Sequence, residues 1–165
     1  MNYGYITVAS AIPSVRVADA DYNIKQIESL IAQAEGKGAE IIVFPELSVT
    51  GYSCQDLFAQ QTLLDQTEMK ILQLLDFSRM LDIICIIGAP VCIGTALYNC
   101  AVVCQHGNIL GIVPKRYLPN YGEFYEKRWF ASADDLDCPT EVRFAGNTIT
   151  VSPDIQLFQT CDGVK

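Results

Sequence analysis

Two short runs of this sequence are apolar at every position, Ile41-Ile42-Val43-Phe44 and Ile83 to Ile87, and nothing else in it constrains the fold as much. A half-exposed strand alternates apolar and polar residues. A run with no polar face reads instead as a central strand of a sheet covered on both sides. The segments around the two runs have helical spacing. Between Asp19 and Glu35, Ile24, Ile27, Leu30, Ile31 and Ala34 fall on one stripe, while Lys25, Gln26, Glu28 and Gln33 fall off it. Asp19 or Asp21 can cap the start of this helix, and Gly36 and Gly38 end it. A second helical stretch runs from about Leu63 to Leu81, with Leu64, Met69, Ile71, Leu72, Leu75 and Met80 forming a broad apolar surface. Ahead of both, Tyr5 to Ala9 is a short β-branched run that reads as a buried strand. The order β-α-β-α-β predicts an α/β fold with helices packed on a sheet.

The second part of the chain changes character. Leu97 to Cys104 and Ile109 to Val113 flank His106-Gly107-Asn108, a turn signal, and predict a hairpin. Glu141 to Phe144 and Thr148 to Val151 flank Ala145-Gly146-Asn147 and predict another. Ile155 to Thr160 reads as a further strand, and Asp162-Gly163 opens a turn whose returning strand would begin at Val164. The sheet is therefore expected to be mixed. At 165 residues the length suits one domain. A chain that stops on the second arm of a hairpin is expected to be a fragment, with uncovered apolar faces and a strand edge that favour self-association.

Composition excludes several function classes. With 11 Lys and Arg against 19 Asp and Glu, the net charge is -8, which argues against binding nucleic acid through its phosphates or docking on an anionic membrane. The longest apolar run, Ile83 to Ile93, is interrupted by Gly88 and Pro90 and is too short for a span, which needs about 20 residues. Met1-Asn2-Tyr3-Gly4-Tyr5 shows no basic segment leading into an apolar one, so no signal peptide is read. Seven cysteines with no Cys-x-x-Cys, and one His, predict no zinc site. Buried, reduced thiols in a cytoplasmic protein are the expectation.

Two residues stand out chemically. Glu46 follows the first all-apolar strand, at the carboxyl end where open α/β sheets place their sites. Apolar walls there would raise its pKa toward that of a general base. The alternative is a Glu that caps a helix or lies in a loop. Lys115 follows Ile109 to Pro114 in the same way and could stabilise a developing oxyanion; the alternative is a surface Lys. Sitting at matching strand ends, the two are expected to converge to about 3–5 Å. A nucleophile is harder to find. His106 lies on an exposed turn without a Ser or Asp partner at a recognisable spacing, and Cys54 and Cys161 read as ordinary thiols. Gly36 and Gly38 close a helix and open none, so no phosphate loop is present.

Phe44-Pro45-Glu46-Leu47-Ser48-Val49-Thr50-Gly51-Tyr52 resembles the Glu motif of the nitrilase, or carbon–nitrogen hydrolase, superfamily. Leu97-Tyr98-Asn99-Cys100-Ala101, followed by Gly107-Asn108-Ile109-Leu110-Gly111, is similar to that superfamily's central hairpin, which delivers a Lys at the position of Lys115. Thr50 to Leu57, Lys115 to Tyr121 and Phe124 to Phe130 narrow the likeness to the glutaminase domains of glutamine-dependent NAD synthetases, and it covers the whole chain. The resemblance implies an α-β-β-α sandwich and a Glu-Lys-Cys set, with Glu46 as base and Lys115 as oxyanion stabiliser. It implies glutamine as substrate, with Tyr121 and Glu123 in the glutamine pocket. The family's nucleophilic Cys would lie after the Asp-Gly turn, so none of the seven cysteines matches it and the chain alone is expected to be inactive. No cofactor is implied for the glutaminase half; ATP and Mg would serve an absent synthetase domain. A homo-oligomer in the cytoplasm is expected. A free-standing nitrilase-type amidase, or a non-catalytic nitrilase-like interaction module, remains the alternative.

Overall fold

A computed structural model describes residues 5–158. Five strands form one mixed sheet in the order β1-β2-β3-β4-β5: β1 (Val8–Ser10), β2 (Ile41–Val43), β3 (Ile84–Ile93), β4 (Ala96–Gln105) and β5 (Asn108–Pro114). β1, β2 and β3 are parallel, and β3, β4 and β5 are antiparallel. The crossovers are α1 (Ala20–Glu35) and α2 (Gln61–Phe77), which pack side by side on one face of the sheet. A hairpin of β6 (Thr140–Phe144) and β7 (Asn147–Val151) packs beside α2 against the same core.

Local chemistry explains these elements. The Asp19 carboxylate accepts the Tyr22 amide and caps α1, and Gly38, at φ 76°, turns the chain after it. Ile24, Ile27 and Ile31 of α1 and Ile71 and Leu74 of α2 are fully buried, each stabilising the fold by about 1.5–3 kcal/mol. His106 and Gly107 both have positive φ, as do Ala145 and Gly146, and these are the two-residue turns whose twist matches paired strands. Ala145 holds this conformation without being glycine because its amide donates to the Glu68 carboxylate at 2.9 Å.

Several expectations need correction. The buried face of α2 runs through Leu63, Thr67, Ile71, Leu74 and Leu75, while Met69, Leu72 and Met80 are exposed. The stripe passes through a polar residue: the Thr67 hydroxyl donates to the Leu63 carbonyl at 2.8 Å and can therefore be buried. β3 does not stop at Ile87 but runs through Gly88 and Pro90 to Ile93. β2 pairs only with Ile84 to Ile86, so the later half of β3 has an open side on which a proline is tolerated. The first strand lies at the sheet edge, with Val8 62% exposed, and was expected to be buried. Val43 is likewise half-exposed, because Ile42 and Phe44 face the helices and Val43 faces the opposite side. Residues 155–158 form no strand; the Gln156 amide donates to the Ile112 carbonyl at 2.7 Å instead. Of the cysteines, 54, 85, 100 and 104 are buried, but Cys92 and Cys138 are exposed. Cys161 and the Asp162-Gly163 turn lie outside the described residues.

Candidate active site

Glu46 is placed by a crossing of backbones. The Phe44 amide donates to the Ile86 carbonyl at 2.9 Å, carrying the pairing of β2 one residue past its end. Pro45, Glu46 and Leu47 then pass directly over Gly88 of β3. A Cβ at Gly88 would lie 2.4 Å from the Pro45 oxygen and the Leu47 nitrogen, so only glycine permits the approach. Leu47 turns the chain at φ 52°, and its carbonyl accepts the amides of Thr50 and Gly51. The turn is tied to α1 by Asn23, which is fully buried and donates to the Val49 carbonyl at 2.9 Å. Its amide group also bonds both the N–H and the carbonyl of Arg16.

Lys115 is the first residue after β5. Its amide donates to the Asn99 carbonyl at 2.8 Å, continuing the ladder, and its carbonyl accepts from Ala133. The side chain crosses the sheet, on the face opposite the helices, and brings Nζ 2.8 Å from Glu46 Oε2. Asn99 of β4 donates to the same carboxylate oxygen at 3.2 Å. Nζ also lies 3.0 Å from both oxygens of Glu126, a carboxylate only 2% exposed, and the Tyr52 hydroxyl donates to Glu126 Oε1 at 2.6 Å. The ammonium thus sits between two carboxylates. Desolvation pulls its pKa down, but the hydrogen bonds and charges of Glu46 and Glu126 outweigh this and hold Lys115 above its ordinary value. Burial, reinforced by the negative Glu126, pushes the Tyr52 phenol well above its usual range, so it remains a donor.

Glu126, Tyr52 and Asn99 were not singled out from sequence. Glu126 is the first residue of a 3₁₀ turn, Glu126–Arg128, and its only signal was a carboxylate set in the aromatic stretch Phe124 to Phe130. Tyr121 and Glu123 do not join the cluster through any hydrogen bond. Glu123 is exposed, and Tyr121 is 74% exposed with its ring edge on Phe124, which in turn meets Tyr52. Tyr121 instead lines a separate depression of about 640 Å³ with Arg116, Tyr117 and Lys127. Beside the Glu46–Lys115 pair lies a cleft of about 280 Å³ walled by Val43, Ile86, Gly88, Ala101 and Val113.

No described cysteine is positioned to attack a group held there. Cys54 is buried and donates to the Thr50 and Gly51 carbonyls, and burial raises its pKa. Cys100 follows Asn99 but faces the helices, where desolvation raises its pKa far above the ordinary value. Among the described residues, no group of three His, Cys, Asp or Glu side chains could hold a metal, and no helix is long and apolar enough to cross a membrane.

The chain belongs to the carbon–nitrogen hydrolase family: the carbon-nitrogen hydrolase model matches residues 7–160. Its relatives narrow the class. It is 38% identical to the glutamine-dependent NAD(+) synthetase of Mycobacterium bovis over 160 residues, 97% of this chain and 23% of that protein. It is 40% identical to the enzyme of the same name from Arabidopsis thaliana over 114 residues, 69% of this chain and 16% of that one. The chain thus spans about a quarter or less of the length of these relatives. The crystal structure of a glutamine-dependent NAD(+) synthetase from Cytophaga hutchinsonii matches with a TM-score of 0.81 at 27% identity, covering 89% of this chain and 25% of that one. An amidase from Nesterenkonia sp., at 22% identity and a TM-score of 0.63, shares the fold.

Proposed function

We propose that this chain forms the base-and-cation part of a glutaminase site, in a protein that hydrolyses glutamine to supply ammonia for ATP-dependent amidation of deamido-NAD to NAD. The observation that carries this reading is the Lys115 ammonium held 2.8 Å from Glu46 and 3.0 Å from Glu126 in a chain similar to NAD synthetases.

The residue types suit amide hydrolysis. An amide needs a nucleophile stronger than water, and a Cys thiolate, formed by proton transfer to Glu46, provides it. The thiolate adds to the glutamine side-chain carbonyl, and the oxygen that becomes negative is stabilised by Lys115. Glu46 returns the proton to the departing ammonia and then takes one from the water that cleaves the acyl-enzyme. Glu126, buried and hydrogen-bonded by Tyr52, holds the ammonium in place. The nucleophile is assigned to residues beyond this chain. ATP and Mg serve the amidation step and not the site described here. A homo-oligomer and a cytoplasmic setting belong to the same proposal.

The test is ammonia release from glutamine. The 165-residue chain is expected to release none, since loss of a nucleophile costs on the order of 10⁶ in kcat. A version extended at its C-terminus through the next cysteine of its reading frame should be active, and Glu46→Gln or Lys115→Ala should abolish that activity. Enzymatic rates from the 165-residue chain, lost in Cys54→Ala or Cys161→Ala, would overturn the assignment.

A further inference from the structure

Two turns deliver the groups that surround Lys115. One spans Tyr52–Ala59 and carries Tyr52; the other, Glu126–Arg128, carries Glu126. They are joined at three depths. Innermost is the Tyr52–Glu126 hydrogen bond of 2.6 Å. Next, the Phe58 ring packs on those of Trp129 and Phe130, with centroids 6.1 and 4.9 Å apart. Outermost is Asp56. Its two oxygens accept Arg128 Nε at 2.7 Å and Nη2 at 3.0 Å, and Oδ1 also accepts the Trp129 indole N–H at 2.9 Å.

We infer that Asp56 is a positioning residue of the active site, holding the Tyr52 turn on the Glu126 turn so that Glu126 and Tyr52 keep Lys115 in register with Glu46. An exposed ion pair commonly contributes little, but this one differs in kind. A planar guanidinium bound through two parallel bonds fixes orientation as well as distance, and the indole adds a third donor. All three donors come from residues two and three positions after Glu126, whose carbonyl accepts the amides of Trp129 and Phe130. The clamp therefore grips the turn that bears the buried carboxylate. On the other side, Gln55 sits at φ 52° and ψ -131°, a strained conformation immediately before Asp56. Such strain persists only where the surroundings hold it, and the Asp56 contacts hold it here. The charges agree with the geometry: the hydrogen bonds from Arg128 and Trp129 lower the Asp56 pKa to about 2.

The catalytic meaning of this inference rests on the glutaminase reading; its structural core does not, and the experiment separates them. In the 165-residue chain, trace acetylation at pH 8 with peptide mass spectrometry gives the reactivity of Lys115 relative to the exposed Lys37. Glu126→Gln sets the response when the carboxylate is lost. Asp56→Asn should raise Lys115 reactivity in the same direction, by up to about tenfold for a fall of one pKa unit. Arg128→Lys, which keeps the charge and loses the fork, should do likewise. Asp56→Glu should recover part of the wild-type value, and Asp21→Asn, at an unrelated surface pair, should change nothing. In the extended protein, Asp56→Asn should lower kcat by about 10- to 100-fold, with a smaller change in KM, because misplacement acts on the reacting geometry. Wild-type Lys115 reactivity in both Asp56→Asn and Arg128→Lys would overturn the inference, and if one variant failed to fold the other would decide. If the extended protein releases no ammonia, the glutaminase reading falls while the acetylation result stands.

Discussion

Replacing Gly88 by alanine tests how Glu46 is seated. The added Cβ would lie 2.4 Å from the Leu47 nitrogen and the Pro45 oxygen and 2.7 Å from the Glu46 carbonyl carbon. Ordinary contact begins near 3.4 Å, so the Glu46 segment must rise by about 1 Å. All three obstructing atoms are backbone, and none can rotate away. Overpacking of this kind costs about 1–3 kcal/mol, and lifting the turn also breaks the Val49–Gly88 hydrogen bond, now 3.3 Å, for about 1 kcal/mol more. We expect about 3 kcal/mol in total. Urea unfolding measures it: with a slope of about 2 kcal/mol per molar, the midpoint should fall by roughly 1.5 M with the slope unchanged. The same displacement stretches the 2.8 Å Glu46–Lys115 contact and should raise Lys115 reactivity toward acetylation. Gly122→Ala is the comparison, since it has positive φ and nothing within 4 Å, and should cost about 1 kcal/mol from backbone strain alone. A Gly88→Ala midpoint within about 0.3 M of wild type, with Lys115 unchanged, would refute the argument.

Asn23→Ala removes three hydrogen bonds, of 2.7, 2.8 and 2.9 Å, from a fully buried site. Backbone groups of Arg16 and Val49 are then left unpaired, and we expect a loss of about 3 kcal/mol, seen as a fall of roughly 6–12 °C in Tm by circular dichroism. Toward a thiol reagent at pH 8, Cys92 and Cys138 should react in the folded protein, whereas Cys54, Cys85, Cys100 and Cys104 should react only on unfolding. Rapid labelling of any of those four without denaturant would contradict their burial.

What the sequence made legible was local. The Asp19 cap, the stripe of α1, and the His106-Gly107 and Ala145-Gly146 turns each rest on chemistry within a few residues, and each element lies within two or three residues of its expected bounds. The apolar strands were visible for the same reason, but their extent and exposure were not, because these depend on neighbours. From sequence this strand stops at Ile87, before Gly88 and Pro90, yet the place of Pro90 on an open side lets the strand continue. Thr67 was not counted on the apolar surface of the second helix, because only the fold shows its hydroxyl satisfied by the carbonyl of Leu63. The site divided along the same line. Glu46 and Lys115 advertise themselves at strand ends. Glu126 sits in a short irregular turn without periodicity, and only the fold reveals that the buried partner of Lys115 is a carboxylate eleven residues further on.

Sequence separation within the cluster has a kinetic consequence. Glu46 to Lys115 closes 69 residues, Asn99 to Glu46 closes 53, and Tyr52 to Glu126 closes 74. Glu46 follows β2 while Lys115 follows β5, so the pair meets only when β3 and β4 are already aligned between them. Closures of this length cost more loop entropy than the local turns and adjacent strand pairs, so we expect the cluster to form after those contacts during folding. Partly folded chains would therefore hold an unpaired lysine and no poised base. The ion pair is in effect a late checkpoint, and its appearance reports completion of the sheet.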